Sequence, residues 1–217
     1  MEESKPKIQL SSVEIRVLGA LIEKSKTTPD YYPMTINSLM AACNQKTSRN
    51  PVVDYNEETV TLTLNALKIK GLVGTATGAG SRTVKYKHNL AIVYPLLPSE
   101  VSVICLLMLR GPLTPGEINT NSTRMHEFET IEEVNELLQK LASGSHPYVK
   151  QLSKKPGQKE ARYMHLFGGS DLEEPEEKSA SVAPAMQDTN TELEERISKL
   201  EQEVEELTEL VNLLMDK

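Results

Sequence analysis

A chain of 217 residues with 38% hydrophobic but only 4% aromatic side chains has room for one or two small domains with aliphatic cores. Its two cysteines, Cys43 and Cys105, sit in apolar helical patterns without a second thiol at metal or redox spacing, and its most apolar stretch, 101–109, is far short of the ~20 residues a bilayer span requires. The net charge of −7 divides unevenly: residues 171–217 hold 15 acidic and 4 basic side chains, a net of −11, whereas residues 1–170 hold 20 basic and 16 acidic, a net of +4, so the body is mildly basic and compatible with a nucleic-acid partner.

The first residues, Met1-Glu2-Glu3-Ser4-Lys5, are polar with no apolar signal core behind them, which points to a cytoplasmic protein with no membrane attachment. A first helix is expected over about 12–24, where Val13, Val17, Leu18, Leu21 and Ile22 keep helical spacing. Ser11 or Ser12 would cap it, and Glu14 suits its first turn. Thr28-Pro29-Asp30 breaks the pattern, and a short second helix follows over 35–43. A polar link over 44–56 leads to a third helix at about 57–70, burying Val60, Leu64 and Leu67 and closed by Gly71. Two short strands, 72–76 and 83–87, flank the glycine turn Thr77-Gly78-Ala79-Gly80-Ser81-Arg82. Three helices followed by a hairpin is the order of a winged helix, with the hairpin as wing and the third helix as reader.

The order then repeats. A helix opens at Ser99-Glu100 and ends at Arg110-Gly111-Pro112. A short helix starts at Thr114-Pro115-Gly116-Glu117, a polar segment covers 122–130, and a helix covers about 131–142. Strands at 148–152 and 162–166 flank a basic turn. Glu14, Val17, Leu18 and Leu21 superpose on Glu100, Val103, Ile104 and Leu107 at an offset of 86, and Val60, Leu64 and Leu67 on Val134, Leu138 and Leu141 at an offset of 74. Four elements in one order indicate duplication.

Residues 169–190, rich in Glu, Ser, Ala and Pro, read as a disordered acidic linker. From 191 a heptad appears, with Ile197, Val204 and Val211 at a and Leu193, Leu200, Leu207 and Leu214 at d. That choice favours a parallel two-stranded coiled coil and hence a homodimer; the alternative is one amphipathic helix folded back on the body. The expected fold is therefore mainly α with small β-hairpins (α+β): winged-helix domains over 9–95 and 96–168, the linker over 169–190, and a coiled-coil helix over 191–217.

Several strings carry a resemblance. Thr27-Thr28-Pro29-Asp30, Ala42-Cys43-Asn44-Gln45-Lys46-Thr47-Ser48-Arg49, Gly80-Ser81-Arg82, Arg124-Met125-His126-Glu127-Phe128 and Arg162-Tyr163-Met164-His165-Leu166-Phe167 are similar to the YceH-like family of uncharacterised bacterial proteins. The resemblance covers about residues 9–168 and implies a tandem winged-helix fold; it brings no activity with it. Ala79 stands where the resemblance implies an aromatic at the wing tip, and the acidic tail lies outside the matched strings.

For nucleic-acid binding the candidates are Lys46 and Arg49 before the first reader helix, Arg82 and Lys85 on the first wing beside Lys87, and Lys154, Lys155, Lys159 and Arg162 on the second. Glu57, Glu58, Glu132, Glu133 and Glu136 on the reader helices oppose this, and Asn65 and Asn135 are the base-reading types near their middles. The links over 44–56 and 122–130 exceed the 3–4-residue turn of an ordinary helix-turn-helix, which suits a surface that grips a protein partner. His126, Glu127 and His165 are ligand types without zinc spacing, so a packed loop with Met125 and Phe128 on the core is expected in place of a metal site. No catalytic triad, phosphate loop or nucleotide motif stands in the chain. The expectation is a non-enzymatic binding protein without cofactor, either a DNA-binding regulatory or architectural protein or a protein–protein adaptor.

Overall fold

The computed structural model describes residues 8–76, 83–154 and 157–168. The expected linker over 169–190 and coiled coil over 191–217 lie outside the described residues.

Helix α1, Ser12–Thr27, begins with a reciprocal cap: the Glu14 N–H donates to Ser11 Oγ at 3.3 Å and the Ser11 N–H donates to Glu14 Oε2 at 2.8 Å. From Glu14 to Ile22 every side of α1 is buried, which makes it a central helix and not an amphipathic surface one. After a 3-10 turn at Pro29–Tyr31, α2 covers Ile36–Cys43 and α3 covers Glu57–Ile69, capped by Thr35 and Asn56. Gly71 follows at a positive φ of 75°, the left-handed conformation that lets the chain reverse into the hairpin. That hairpin pairs β1, Val73–Ala76, with β2, Lys85–His88, antiparallel. A single helical turn, α4 at Leu90–Val93, leads out of it.

The second half is α5, Pro98–Arg110; α6, Pro115–Ser122; α7, Ile131–Ala142; β3, Val149–Gln151; and β4, Tyr163–His165. Its caps repeat those of the first half. Glu100 Oε2 accepts from the Leu97 N–H at 2.7 Å, as Glu14 does from Ser11, and Thr114 and Thr130 stand where Thr35 and Asn56 stand. The hairpins share a register: Val73 faces His88, and Val149 faces His165. Each hairpin also gains one residue of a third strand from the segment ahead of the second helix. Met34 pairs with Tyr86 and Leu113 with Tyr163, each through two reciprocal backbone hydrogen bonds of 2.7–3.1 Å. These bridges, α4 and the 3-10 turn are absent from the periodicity, because one-residue bridges and single turns carry no period to detect.

The duplication thus extends to hydrogen bonds. It extends to charge as well. The carboxylate that caps each first helix also receives a lysine from the third: Lys70 Nζ lies 2.6 Å from Glu14 Oε1, and Lys140 Nζ lies 2.8 Å from Glu100 Oε1.

The halves are packed on each other through α1 and α5. Val17, Leu18 and Leu21 share one continuous cluster with Val103, Ile104 and Leu107, all fully buried. At about 1.5–3 kcal/mol for each large aliphatic side chain removed from water, this seam is a main source of stability. Two backbone hydrogen bonds tie the halves at the periphery, Asn50 N–H to Leu109 O and Leu10 N–H to Phe167 O, each 2.8 Å. The architecture is mainly helical with two small antiparallel hairpins. Among the described residues no helix is long and apolar enough to cross a membrane.

Candidate nucleic-acid interface

The third helices turn their acids outward. Glu57 and Glu58 on α3, and Glu132, Glu133 and Glu136 on α7, are exposed. Four of them occupy first turns, where they answer the positive end of the helix dipole themselves. Glu133 goes further, its Oε2 accepting the Glu129 N–H at 3.0 Å. Neither helix start is therefore open to a phosphate.

The side of α7 that faces its hairpin is different. Asn135 on α7, Gln151 at the end of β3 and Lys154 just beyond it line one open groove of about 300 Å³, with Pro115, Ile131 and Tyr163 forming much of its wall. Two amides that can donate and accept, next to an ammonium on the rim, form a surface suited to a polar partner with an anionic backbone. Glu160 also borders the groove and marks its acidic end.

The basic candidates divide by environment. Lys46, Lys154 and Lys159 are exposed, and Lys154 Nζ donates to Lys159 O at 3.3 Å across the second turn. Lys85 is half-buried on β2. Arg162 is half-buried, its guanidinium held by both Glu117 oxygens at 2.9 and 3.1 Å and by Pro112 O at 2.9 Å. Arg82 and Lys155 lie outside the described residues, as do the heptad positions Leu193, Ile197, Leu200, Val204, Leu207, Val211 and Leu214.

Arg49 is a correction. Its side chain is completely buried. The guanidinium forks onto Glu23, Nη1 to Oε1 at 3.1 Å and Nη2 to Oε2 at 2.6 Å, and also donates to Ala42 O and Gln45 Oε1. Nothing of it reaches the surface for a phosphate. Burial pushes the Glu23 carboxyl up, but hydrogen bonding and charge from Arg49, with Lys24, outweigh that and hold it below the usual carboxylate range.

The long link after α2 has a structural use. Arg16 Nη2 reaches Pro51 O at 2.5 Å, Asn44 exchanges two hydrogen bonds with the Tyr55 backbone, and Asn50 bonds across to the second half. Two buried arginines require this many carbonyls, which explains a connection longer than a turn. In the second half, Phe128 is buried, Met125 packs against the core, and the His126 ring meets Phe128 edge-on with centroids 4.6 Å apart. His165 is buried in β4, its Nδ1 accepting the Phe167 N–H at 3.3 Å. Gln151 escaped sequence reading because a single amide at a strand end carries no pattern.

Residues 10–158 match a protein family described as DUF480, of unknown function. Relatives called UPF0502 protein align over nearly the whole chain. The one from Shewanella piezotolerans is 44% identical over 97% of this chain and 99% of its own, and the one from Serratia proteamaculans is 41% identical over 97% and 98%. One from Opitutus terrae is 49% identical over 74% of this chain and 70% of its own. The Shewanella and Serratia alignments reach into the acidic tail, which the motif strings did not. With the family matched over most of its length and relatives aligned nearly end to end, the chain belongs to the DUF480 (UPF0502) family of uncharacterised bacterial proteins.

Proposed function

We propose that this chain is a non-enzymatic, cytoplasmic nucleic-acid-binding protein built of two winged-helix units, with the second unit making the main contact. The observation that carries the proposal is the groove in which Asn135, Gln151 and Lys154 stand together beside the hairpin. Asn and Gln can pair with adenine in the major groove, and Lys neutralises phosphate. The third-strand bridges at Met34 and Leu113 support the winged-helix reading, since they complete the three-stranded wing base in each half. The exposed acids at the start of α7 argue for contact through the wing edge and against insertion of the helix N-terminus. The heptad at 193–214 would pair two chains and bring two such grooves together.

The test is fluorescence anisotropy with duplex DNA over a salt series, comparing the parent with a Lys154→Glu/Lys159→Glu variant. Removing one lysine–phosphate pairing lowers the log–log salt slope by about 0.9. The variant should bind more weakly with a shallower slope, and Asn135→Ala should weaken binding without changing the slope. An unaltered slope in the double variant, or no binding at low salt, defeats the proposal.

A second reading, a protein–protein adaptor, is favoured by α3. Leu62 and Ile69 lie two turns apart on one face of that helix and are 63% and 89% exposed, apolar where a base-reading helix would be polar. Affinity capture with and without nuclease separates the two readings.

A further inference from the structure

The two halves enclose a second concavity, a polar cleft of about 180 Å³ on the seam beside α1 and α5. Lys24, Thr47 and Ser48 come to it from the first half; Arg110, Asn121 and Arg124 come from the second. Its lining contains three cations against one carboxylate, Glu23. That carboxylate is already engaged by the Arg49 fork from the buried side and by Lys24 Nζ at 3.3 Å. Arg110 has one bond, from Nη2 to Ser48 Oγ at 2.7 Å, and no carboxylate partner among the described residues. Arg124 has no hydrogen bond or ion pair among the described residues.

We propose that this cleft binds a compact phosphate-class oxyanion, held by the guanidinium groups of Arg110 and Arg124 and by Lys24, at the junction of the two halves. Guanidinium groups present paired donors that match phosphate oxygens, whereas a lone cationic cleft is opposed by its own repulsion. The lining sums to +2 with Glu23 included, which fits a divalent anion. Size narrows the class. Drug-sized ligands occupy about 300–1,000 Å³, so this cleft suits an inorganic phosphate or diphosphate and not a nucleoside. The site is independent of the nucleic-acid reading, since no residue of the 300 Å³ groove contributes to it.

The sequence held part of this site in view without showing it. Gln45, Thr47 and Ser48, and Arg124-Met125, belong to two of the strings that carry the family resemblance, yet they are separated by about 75 positions and meet only through the packing of α1 on α5.

The experiment is thermal unfolding of the full chain in a non-phosphate buffer at constant ionic strength, titrated with sodium phosphate, sodium diphosphate or sodium chloride. Phosphate or diphosphate should raise Tm by several degrees at millimolar concentration while chloride does not, because a ligand of the folded state stabilises it by mass action. Arg124→Gln, at an exposed residue with no described partner, should unfold at the parent's Tm without phosphate and show at least a fivefold weaker phosphate response; Arg110→Gln, which also loses the Ser48 hydrogen bond, should show the same weakened response measured from its own Tm without phosphate. Equal phosphate and chloride responses, or a phosphate response unchanged in the Arg110→Gln/Arg124→Gln double variant, overturn the proposal. So does a double variant that loses affinity for duplex DNA while responding to phosphate as the parent does, because the cations would then serve the nucleic-acid backbone.

Discussion

Gly19 and Cys105 occupy the same position in the two copies of the repeat, and they touch: the Cys105 thiol donates to the Gly19 carbonyl at 3.4 Å. Ile8 and Tyr94, related by the same offset of 86, also meet, the Ile8 N–H donating to the Tyr94 hydroxyl at 2.9 Å. A position that touches its own counterpart lies beside the axis of a two-fold contact, so α1 and α5 face each other as copies would in a homodimer. The close approach depends on the missing side chain of Gly19. A Cβ there would lie 3.0 Å from Leu109 Cδ2, 3.1 Å from its Cγ and 3.3 Å from Met108 Cβ. Replacing a helical glycine with alanine gains about 1 kcal/mol of propensity, which this crowding opposes. Gly19→Val adds branching at the tightest point and is expected to cost about 1–3 kcal/mol, read as a lowered urea midpoint. A Gly19→Val protein as stable as the parent would show that the seam does not close on this residue.

Arg49 and Glu23 set a second expectation. Breaking a buried ion pair from one side leaves the other charge without a partner, at a cost of about 3–5 kcal/mol. Arg49→Met should fall in that range by chemical denaturation, and Glu23→Gln should recover part of the loss in the double variant. Arg49→Lys should rescue little, since one ammonium cannot serve Glu23, Ala42 O and Gln45 together. The pH dependence has a definite sign. Because the folded Glu23 carboxyl is held below its usual range, its contribution is full above the unfolded value of about 4.3 and is lost as pH falls through the lower folded value. A loss under about 1 kcal/mol for Arg49→Met would place the pair among ordinary surface bridges.

The thiols should be silent in the native protein. Burial pushes the Cys43 thiol up to about 12 and the Cys105 thiol higher still, so neither offers thiolate near neutral pH. A chromogenic disulfide reagent at pH 8 should label neither until denaturant unfolds the chain, and then both. Rapid labelling of Cys105 without denaturant would mean that the α1–α5 seam opens locally.

Much of the fold was legible because its elements are periodic or capped. Ser11, Thr35, Asn56, Thr114 and Thr130 all act as caps, and the third helices begin at Glu57 and Ile131 where their patterns begin. The duplication was visible in apolar spacing, and the structure extends it to the Val73–His88 and Val149–His165 pairs. What escaped was whatever depends on partners distant in sequence. An arginine in a polar loop reads as a surface cation, and the carboxylate of Glu23, 26 residues earlier, together with Ala42 O and Gln45 Oε1, turns Arg49 inward. The groove and the cleft escaped for the same reason, since each joins side chains whose spacing in sequence has no period. The all-round burial of α1 and α5 was muted because Glu14, Arg16 and Glu100 are polar residues inside the core, each held there by hydrogen bonds or an ion pair.

His88 supplies the clearest pH test. It stands on β2 with Nε2 at 3.2 Å from Ser25 Oγ, its ring 6.2 Å from that of Tyr32 between centroids, and its Nδ1 is buried without a hydrogen-bond partner. Burial, with the charge of Lys26 adding to it, pushes its pKa down to about 4. An unfolded histidine titrates near 6.5, so above that pH the residue is neutral in both states and stability does not depend on it. Between about 6.5 and 4 the unfolded chain takes up a proton that the folded protein refuses, so stability declines as pH falls; below about 4 both states are protonated and the decline stops. At about 1.4 kcal/mol per pH unit, the full window is worth about 3 kcal/mol. His88→Gln should therefore flatten the fall in unfolding free energy between pH 6.5 and 5 relative to the parent. The other histidines are common to both proteins and cancel in the difference. Parallel curves for the two proteins over that interval would mean that His88 gains a proton in the folded state as readily as in the unfolded one, and that its site is wetter than the packing around β2 indicates.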